Sequence, residues 1–288
     1  MESILLYHCR ALLMDEENTL LDPAYVVVEG ERIASVSSTR PQGPFAQEID
    51  CGGNVLMPGL VNAHTHIPMT LMRGYAGGCD LHTWLNDWIF PAEAKLDDRA
   101  VRAGADLALA ELIAGGVTTI ADMYMHTPAI AQAVLAAGIS ANLSCGGVYF
   151  GAPGDFSPAT CPDCDHQRQL TEEFHGAGNG QILVDASIHG EYTSNVPLWQ
   201  WMADYAQRKG LGMHVHVSET QSEHEGSLTR WGLTPFRILD RYGVWDTRAI
   251  AAHCVWTTED DWAGMAEKGV ACVHNPVSNL KLGSGVAW

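Results

Sequence analysis

Two histidines separated by a single residue lie at the end of a short extended segment, and this pair constrains the fold more than any other feature. The segment is residues 58–66, with the sequence PGLVNAHTH. In a strand, residues two apart point to the same face, so His64 and His66 present two imidazoles side by side. Neutral imidazoles are common ligands of divalent metals. The pair predicts a metal site if further ligands converge on it; a strand that merely carries two histidines is the alternative.

Downstream of His66, apolar strand-like segments alternate with helical ones. Six such strands are predicted, at residues 117–121, 139–143, 182–189, 211–217, 249–254 and 270–274. Helices are predicted between them, at 99–114 after an Asp97 N-cap, at 197–209 and at 258–268. This alternation is typical of a parallel sheet covered by helices, and seven units in one chain favour a (β/α)8 barrel. Functional residues of such barrels lie at the carboxyl ends of the strands.

Residues 1–57 have a different pattern. Two strand-like stretches, 25–28 and 33–36, flank the turn 29–32, in which Gly30 supplies the special backbone angle of a hairpin. No group with evident chemistry occurs in this part of the chain. We therefore predict two domains: the N-terminal part of a small β-sandwich over 1–57, and a barrel over 58–288.

The charge balance excludes several classes of partner. Lys and Arg number 16 against 34 Asp and Glu, for a formal net charge of −18. Binding to nucleic acid or to an anionic membrane requires clustered cations, so neither is expected. No signal-peptide core or membrane span is evident, and a small-molecule substrate is the partner that we predict. The composition leaves homo-oligomer formation open.

The eight cysteines are scattered, several of them in apolar segments, which favours free thiols in a reducing cytoplasm. The one local pair, Cys161 and Cys164 with His166 nearby, resembles half of a zinc knuckle. Because no second pair occurs at the required spacing, a structural zinc site is not our prediction for these residues.

Histidines recur at the ends of the predicted strands. They are His189, His214, His216, His253 and His274. Glu219 follows His216 by three residues, on the loop beyond the strand, where a carboxylate could move protons to and from a water molecule held by a metal. His214 shares the inward face of its strand one layer deeper, so we interpret it as a core imidazole or as a partner of a ligand.

These motifs resemble those of the amidohydrolase superfamily, and in particular its 5-methylthioadenosine/S-adenosylhomocysteine deaminase branch with the related aminohydrolases and chlorohydrolases. The resemblance covers essentially the whole chain. Beyond PGLVNAHTH, the motifs that carry it are MTLMRG at 69–74, LHTWL at 81–85, TTIADMY at 118–124, HVSET at 216–220, AHC at 252–254 and HNPVSNLKL at 274–282. The resemblance implies a TIM-like barrel of the amidohydrolase type and a hydrolytic deaminase of an adenosine-like nucleoside.

The family pattern also implies roles for individual residues. One divalent ion, expected to be zinc, would be bound by His64, His66 and His216. Glu219 would shuttle protons, and His253 would hold the attacking water. The substrate would be contacted by Glu93 at the ribose hydroxyls, by Trp84 and by His189 at the heterocycle.

Two departures from the family pattern qualify these expectations. No arginine lies near Cys145, where one would bind a homocysteine carboxylate, and Arg168 is a second candidate in a loop. The sequence also ends at Trp288, so we expect a barrel without strand eight and without the aspartate which that strand carries in the family. This leaves open a fragment or a degenerate homologue, and an active or an inactive chain. A hydrolase of another heterocycle, of the guanine or triazine type, and a non-catalytic remnant are the alternative functions.

Overall fold

The computed structural model describes residues 3–287, which fall into two compact units. One unit extends up to Leu60, and the other begins at Val61. The predicted boundary between 57 and 58 lies close to this division.

The first unit is a single five-stranded sheet. Its strands are β1 (Ser3–Leu12), β2 (Leu20–Glu29), β3 (Arg32–Ser37), β4 (Gln47–Asp50) and β5 (Val55–Leu56). The sheet has the order β3-β2-β1-β4, and β5 also pairs with β1. The predicted hairpin is present: β2 and β3 are antiparallel, and Gly30 adopts a φ of 61° in the turn. The assignment of this sheet to a sandwich stays a prediction.

The second unit contains eight strands. They are β6 (Leu60–Thr65), β7 (Val117–Met123), β8 (Ser140–Ser144), β9 (Ile182–Val184), β10 (Ala186–Gly190), β11 (Met213–Val217), β12 (Ala249–His253) and β13 (Ala271–Val273). They form the ordered sets β6-β7-β8-β9 and β10-β11-β12-β13. Only Asp185 separates β9 from β10, so these two segments together form the fourth predicted strand. All six predicted strands downstream of His66 are present, as expected for a TIM-type α/β fold. The absence of an eighth barrel strand stays a prediction.

Helices connect these strands. They are α1 (Leu81–Thr83), α2 (Phe90–Glu93), α3 (Asp98–Ala114), α4 (Thr127–Ala137), α5 (Pro162–Phe174), α6 (Ala177–Gly180), α7 (Val196–Lys209), α8 (Gln221–Trp231), α9 (Pro235–Asp240), α10 (Glu259–Lys268) and α11 (Pro276–Lys281). The predicted N-cap is confirmed, because the Asp97 side chain accepts a hydrogen bond from the amide of Ala100. Helix α5 was not predicted: its polar sequence reads as a loop, yet Pro162 occupies the first turn, where proline is tolerated.

Apolar side chains from strands and helices form the core of the second unit. One cluster centres on Trp199, Phe236 and Trp245, and another on Ile120 and Ile130, all of which are fully buried. This packing fixes the strand ends, which open into one cavity. In residues 3–287, no helix combines the length and the apolar character needed to cross a membrane.

Candidate active site

The histidines predicted from the sequence converge at the carboxyl ends of the barrel strands. His64 lies on β6, and His66 follows it directly; His189 lies on β10, His216 on β11, and His253 is the last residue of β12. All five line one cavity of about 1210 Å³. Parallel strands end at the same edge of a sheet, so residues far apart in sequence meet there.

Three imidazole nitrogens approach each other at the base of this cavity. The Nε2 atom of His216 lies 3.2 Å from Nε2 of His64 and 3.3 Å from Nε2 of His66. Two nitrogen ligands of a tetrahedral zinc ion, each at about 2.0–2.1 Å from the metal, are about 3.3–3.4 Å apart. The spacing of these nitrogens therefore fits an ion of that size.

The other ring nitrogens explain why the Nε2 atoms face one another. Nδ1 of His216 donates to the carbonyl oxygen of His189 at 2.6 Å, and Nδ1 of His66 donates to the carbonyl oxygen of Met123. A carbonyl only accepts hydrogen bonds, so both Nδ1 atoms carry the ring proton and both Nε2 atoms keep a lone pair. Two lone pairs at 3.3 Å repel unless a cation lies between them. The donor set thus fits a divalent ion.

Burial keeps these imidazoles neutral. Burial is the larger cause and the neighbouring imidazoles are the smaller one, and together they hold the pKa of His64 and of His216 well below the usual range. Burial likewise lowers the pKa of His66 to about 4 and that of His253 to about 4. A neutral imidazole is the form that binds metals.

His253 also lies close to the three Nε2 atoms. Within residues 3–287, one group of metal-binding side chains is close enough to share an ion, namely His64, His216 and His253, whose ligand atoms lie within 4.8 Å of one another. His253 makes a second contact, however, because its Nδ1 lies 2.8 Å from Oδ1 of Asn279. Its backbone is in the left-handed region, with a φ of 73°, which is uncommon for a residue other than glycine. The bond from Nδ1 leaves Nε2 of His253 free in the same way as in the other rings, so His64 and His216 can share an ion with either His66 or His253.

The Glu219 carboxylate lies on the same side of the cavity. Its Oε1 is 3.5 Å from Nδ1 of His253, and burial raises the pKa of Glu219 to about 7. Glu223 fixes the turn that carries it: the two carboxylate oxygens of Glu223 accept from the amides of Ser218 and Glu219, each at 2.8 Å. Glu223 was not among the residues predicted from the sequence. Its position one helical turn beyond Glu219 could have indicated this role.

Glu93 and Trp84, which were predicted to contact a substrate, line the same cavity. Glu93 is buried in α2, and burial raises its pKa. Trp84 begins a short π-helix, Trp84–Ile89, and its buried Nε1 has no hydrogen-bond partner among residues 3–287. Tyr124 lies directly after β7 and also lines the cavity, a role that the sequence analysis did not assign. These groups add hydrogen-bonding atoms to the cavity that the histidines line, and the Tyr124 ring centroid lies 6.3 Å from that of His66.

Two other groups lie outside this arrangement. Arg168 donates to the carbonyl oxygen of Pro158 at 3.0 Å and does not line the cavity. Cys161 and Cys164 are free and buried, at the start of α5. They belong to no metal-binding group within the described residues.

Known proteins are similar to this chain in sequence and in fold. The model of the amidohydrolase family matches residues 55–287. A protein of Methanothermobacter thermautotrophicus named 5'-deoxyadenosine deaminase is 40% identical over 262 residues, or 91% of this chain. A protein of Dictyoglomus turgidum named 5-methylthioadenosine/S-adenosylhomocysteine deaminase is 36% identical over 272 residues, or 94% of this chain.

A solved structure is similar to this chain over nearly the full length of this chain. It is described as an adenosine deaminase from Xanthomonas campestris with bound zinc, and it matches 99% of this chain with a TM-score of 0.87 and 32% sequence identity. The chain spans 60% and 62% of the length of the two curated relatives and 65% of that structure.

Proposed function

The chain belongs to the amidohydrolase family, and from this membership we propose that it is a hydrolytic deaminase of adenosine-like nucleosides. The observation that carries the proposal is the set of three facing Nε2 atoms beside Glu219. The named activities of the relatives support the reaction type. They are consistent with hydrolysis of the exocyclic C–N bond of an aminated purine.

One divalent ion, which we take to be zinc, would be held by His64, His66 and His216. Such an ion supplies Lewis-acid activation of a water molecule at neutral pH. The three imidazoles are already oriented for it, because the Nδ1 atom of each makes a hydrogen bond that leaves Nε2 free.

Glu219 and His253 carry the proton chemistry in this proposal. The Glu219 carboxylate accepts a proton from the attacking water and delivers protons to the ring nitrogen and to the departing amino group. The water oxygen becomes bonded to the amino-bearing carbon, the C–N bond breaks, and ammonia leaves with a ring carbonyl as the product. A pKa near 7 suits a group that both accepts and donates protons at neutral pH. His253, held by Asn279, orients the water.

Glu93, Trp84 and His189 bind the nucleoside in this proposal. A carboxylate accepts two hydrogen bonds from neighbouring hydroxyls, so Glu93 suits a ribose. Trp84 offers a flat apolar face and an unpartnered Nε1 donor. His189 lies beside His216, with 4.6 Å between the ring centroids, where it would meet the heterocycle.

The charges of the cavity favour a nucleoside with an uncharged 5' substituent. Two cationic side chains other than histidine line the cavity among the described residues, Arg73 and Lys281. Arg73 is already paired with both carboxylate oxygens of Glu111, at 2.9 and 2.6 Å. With Arg168 engaged elsewhere, a homocysteine carboxylate would lack a guanidinium partner and would meet only the Lys281 ammonium among these cations, whose Nζ lies 5.8 Å from the centroid of the Trp84 ring. We therefore propose 5'-deoxy and 5'-methylthio nucleosides as the preferred substrates.

The eight cysteines are all free, which supports a reducing compartment, and we place the protein in the cytoplasm.

An ammonia-release assay tests the proposal. The protein, expressed from its complete gene and loaded with zinc, would be incubated with 5'-deoxyadenosine, 5'-methylthioadenosine, adenosine and S-adenosylhomocysteine. We expect stoichiometric ammonia from the first two, with a kcat/KM at least about tenfold above that for S-adenosylhomocysteine. Release from none of the four by zinc-loaded protein would reject the deaminase, and a preference for S-adenosylhomocysteine would reject the substrate assignment.

A further inference from the structure

The three imidazoles with facing Nε2 atoms are oriented in two different ways. His66 and His216 donate from Nδ1 to main-chain carbonyl oxygens, whose positions are fixed by the strands themselves. Nδ1 of His64 instead lies 2.8 Å from Nε2 of another side chain, His214. The orientation of His64 therefore depends on a side chain rather than on the backbone.

The contacts of His214 continue across the interior of the barrel. Its Nδ1 lies 3.3 Å from Oγ of Ser144, and that hydroxyl donates to the carbonyl oxygen of Asp122 at 3.1 Å. His214 and Ser144 are both buried, with 0% and 1% of their surface exposed, so water does not compete for these bonds. The series connects the strands β6, β11, β8 and β7.

The direction of each hydrogen bond follows from the last acceptor. The Asp122 carbonyl has no proton to give, so the single hydroxyl proton of Ser144 points to it. Oγ of Ser144 then accepts from His214, which places the ring proton of a neutral His214 on Nδ1. Nε2 of His214 consequently accepts from Nδ1 of His64, and the lone pair of His64 is left on Nε2, which faces His216 at 3.2 Å.

We propose that His214 and Ser144 are positioning residues that fix the tautomer of His64 and so hold its Nε2 lone pair ready for the metal ion. This inference rests on the proposed metal site. Packing alone would not require it, because a leucine could fill an inward position on β11 without any of these hydrogen bonds. A metal ligand is held in one orientation when every proton donated along such a series of side chains has an acceptor.

Zinc affinity measured by chelator competition separates orientation from packing. The His214→Leu variant keeps much of the side-chain volume but removes the acceptor, so we expect zinc to bind about 10–100-fold more weakly than to the wild type. The His214→Gln variant can accept from His64 and donate to Ser144, and it should stay within about fivefold of the wild type. Equal affinity of the Leu variant and the wild type, or equally weak binding by both variants, would overturn the proposal.

A second pair of variants guards against misfolding at position 214. Ser144→Ala removes only a hydroxyl and should weaken zinc binding several-fold. Ser227→Ala is the matched control, because Ser227 is equally buried but donates to the carbonyl oxygen of Leu233 in another part of the barrel. Equal affinities for these two variants would contradict the proposed role of Ser144.

Histidine tautomers give a readout that does not depend on metal or activity. Long-range 1H–15N correlation spectra of metal-free protein labelled with 15N-histidine should show the proton of His64 on Nδ1 in the wild type and a mixture of tautomers in His214→Leu. A His64 proton on Nε2 in the wild type would overturn the inference. Failure of the wild type to bind zinc would instead reject the metal site, while the spectra would still decide the orientation.

Discussion

The two sides of the cavity are built from different kinds of local structure. The side that we call the metal wall consists of His64, His66, His216 and His253, each on a strand or directly after one. The side that we call the substrate wall is residues 81–93, in which α1, a π-helix and α2 follow one another without a break. A strand fixes the direction of alternate side chains, whereas short helical segments of differing pitch can change register. In the proposed function, the chemistry is on the first wall and substrate choice is on the second.

Each wall has one buried carboxyl group on it or beside it. The metal wall is a group of buried imidazoles held neutral, with Glu219 beside them. The substrate wall carries the buried carboxyl of Glu93, and burial raises its pKa as well. Replacing each acid by its amide removes the charge with little change in shape, so the pair of variants separates chemistry from binding.

The largest effect is expected at the metal wall. Glu219→Gln cannot accept or deliver a proton, so kcat should fall by about 10²–10⁴-fold with zinc content unchanged. Steady-state ammonia release and elemental analysis of the same preparation measure both quantities. Glu267→Gln, on the exposed face of α10, is the matched control and should behave as the wild type. Turnover near the wild-type rate in Glu219→Gln would show that another group moves the protons.

A smaller effect is expected at the substrate wall. Glu93→Gln weakens the hydrogen bonds to the ribose, so KM should rise by about 10–100-fold while kcat changes by less than about threefold. A 2',3'-dideoxy nucleoside should show no such difference between the variant and the wild type. A loss of kcat with an unchanged KM would mean that Glu93 acts in the chemical step rather than in substrate binding.

The third effect concerns stability rather than activity. Burial raises the pKa of Glu219 in the folded state from 4.5 to about 7, so the metal-free protein loses stability as the pH rises from about 4.5 to about 7 and loses no more above that range. Glu219→Gln should therefore stabilise the metal-free protein by about 3 kcal/mol at most at pH 8, and by less than about 1 kcal/mol at pH 5. Thermal unfolding in a chelator at both pH values measures this. A larger gain in Tm at pH 5 than at pH 8 would contradict the predicted sign.

The metal wall could be predicted from the sequence because its spacing is periodic. His64 and His66 are two residues apart at the end of one strand, and His216 lies near the end of another with Glu219 just beyond it, so strand geometry alone brings them to one edge. The hydrogen-bond acceptors of the three imidazoles could be predicted only in part. His214 was interpreted as a core imidazole or as a partner of a ligand, but its contact with Ser144 and the two carbonyl oxygens depend on how other strands pair.

The substrate wall was predicted only through the resemblance to the family. Nothing in the pattern of residues 81–93 indicates a π-helix, and the inward direction of Trp84 and Glu93 depends on it. Tyr124 is the last residue of the motif TTIADMY, but no role was predicted for it. Helix α5 was missed for a related reason: its surface is strongly polar, and its stability comes from packing of Cys164 and Leu170 that propensity does not reveal.

Metal stoichiometry tests the central claim most directly. Purified protein, dialysed against metal-free buffer containing a weak chelator, would be compared with a His64→Ala, His216→Ala double variant by elemental analysis. The proposed site predicts one divalent ion per wild-type chain, with zinc as the preferred metal, and none in the double variant, because the variant keeps only one of the three facing Nε2 atoms. No metal above background in the wild type, or an equal content in the double variant, would contradict the account.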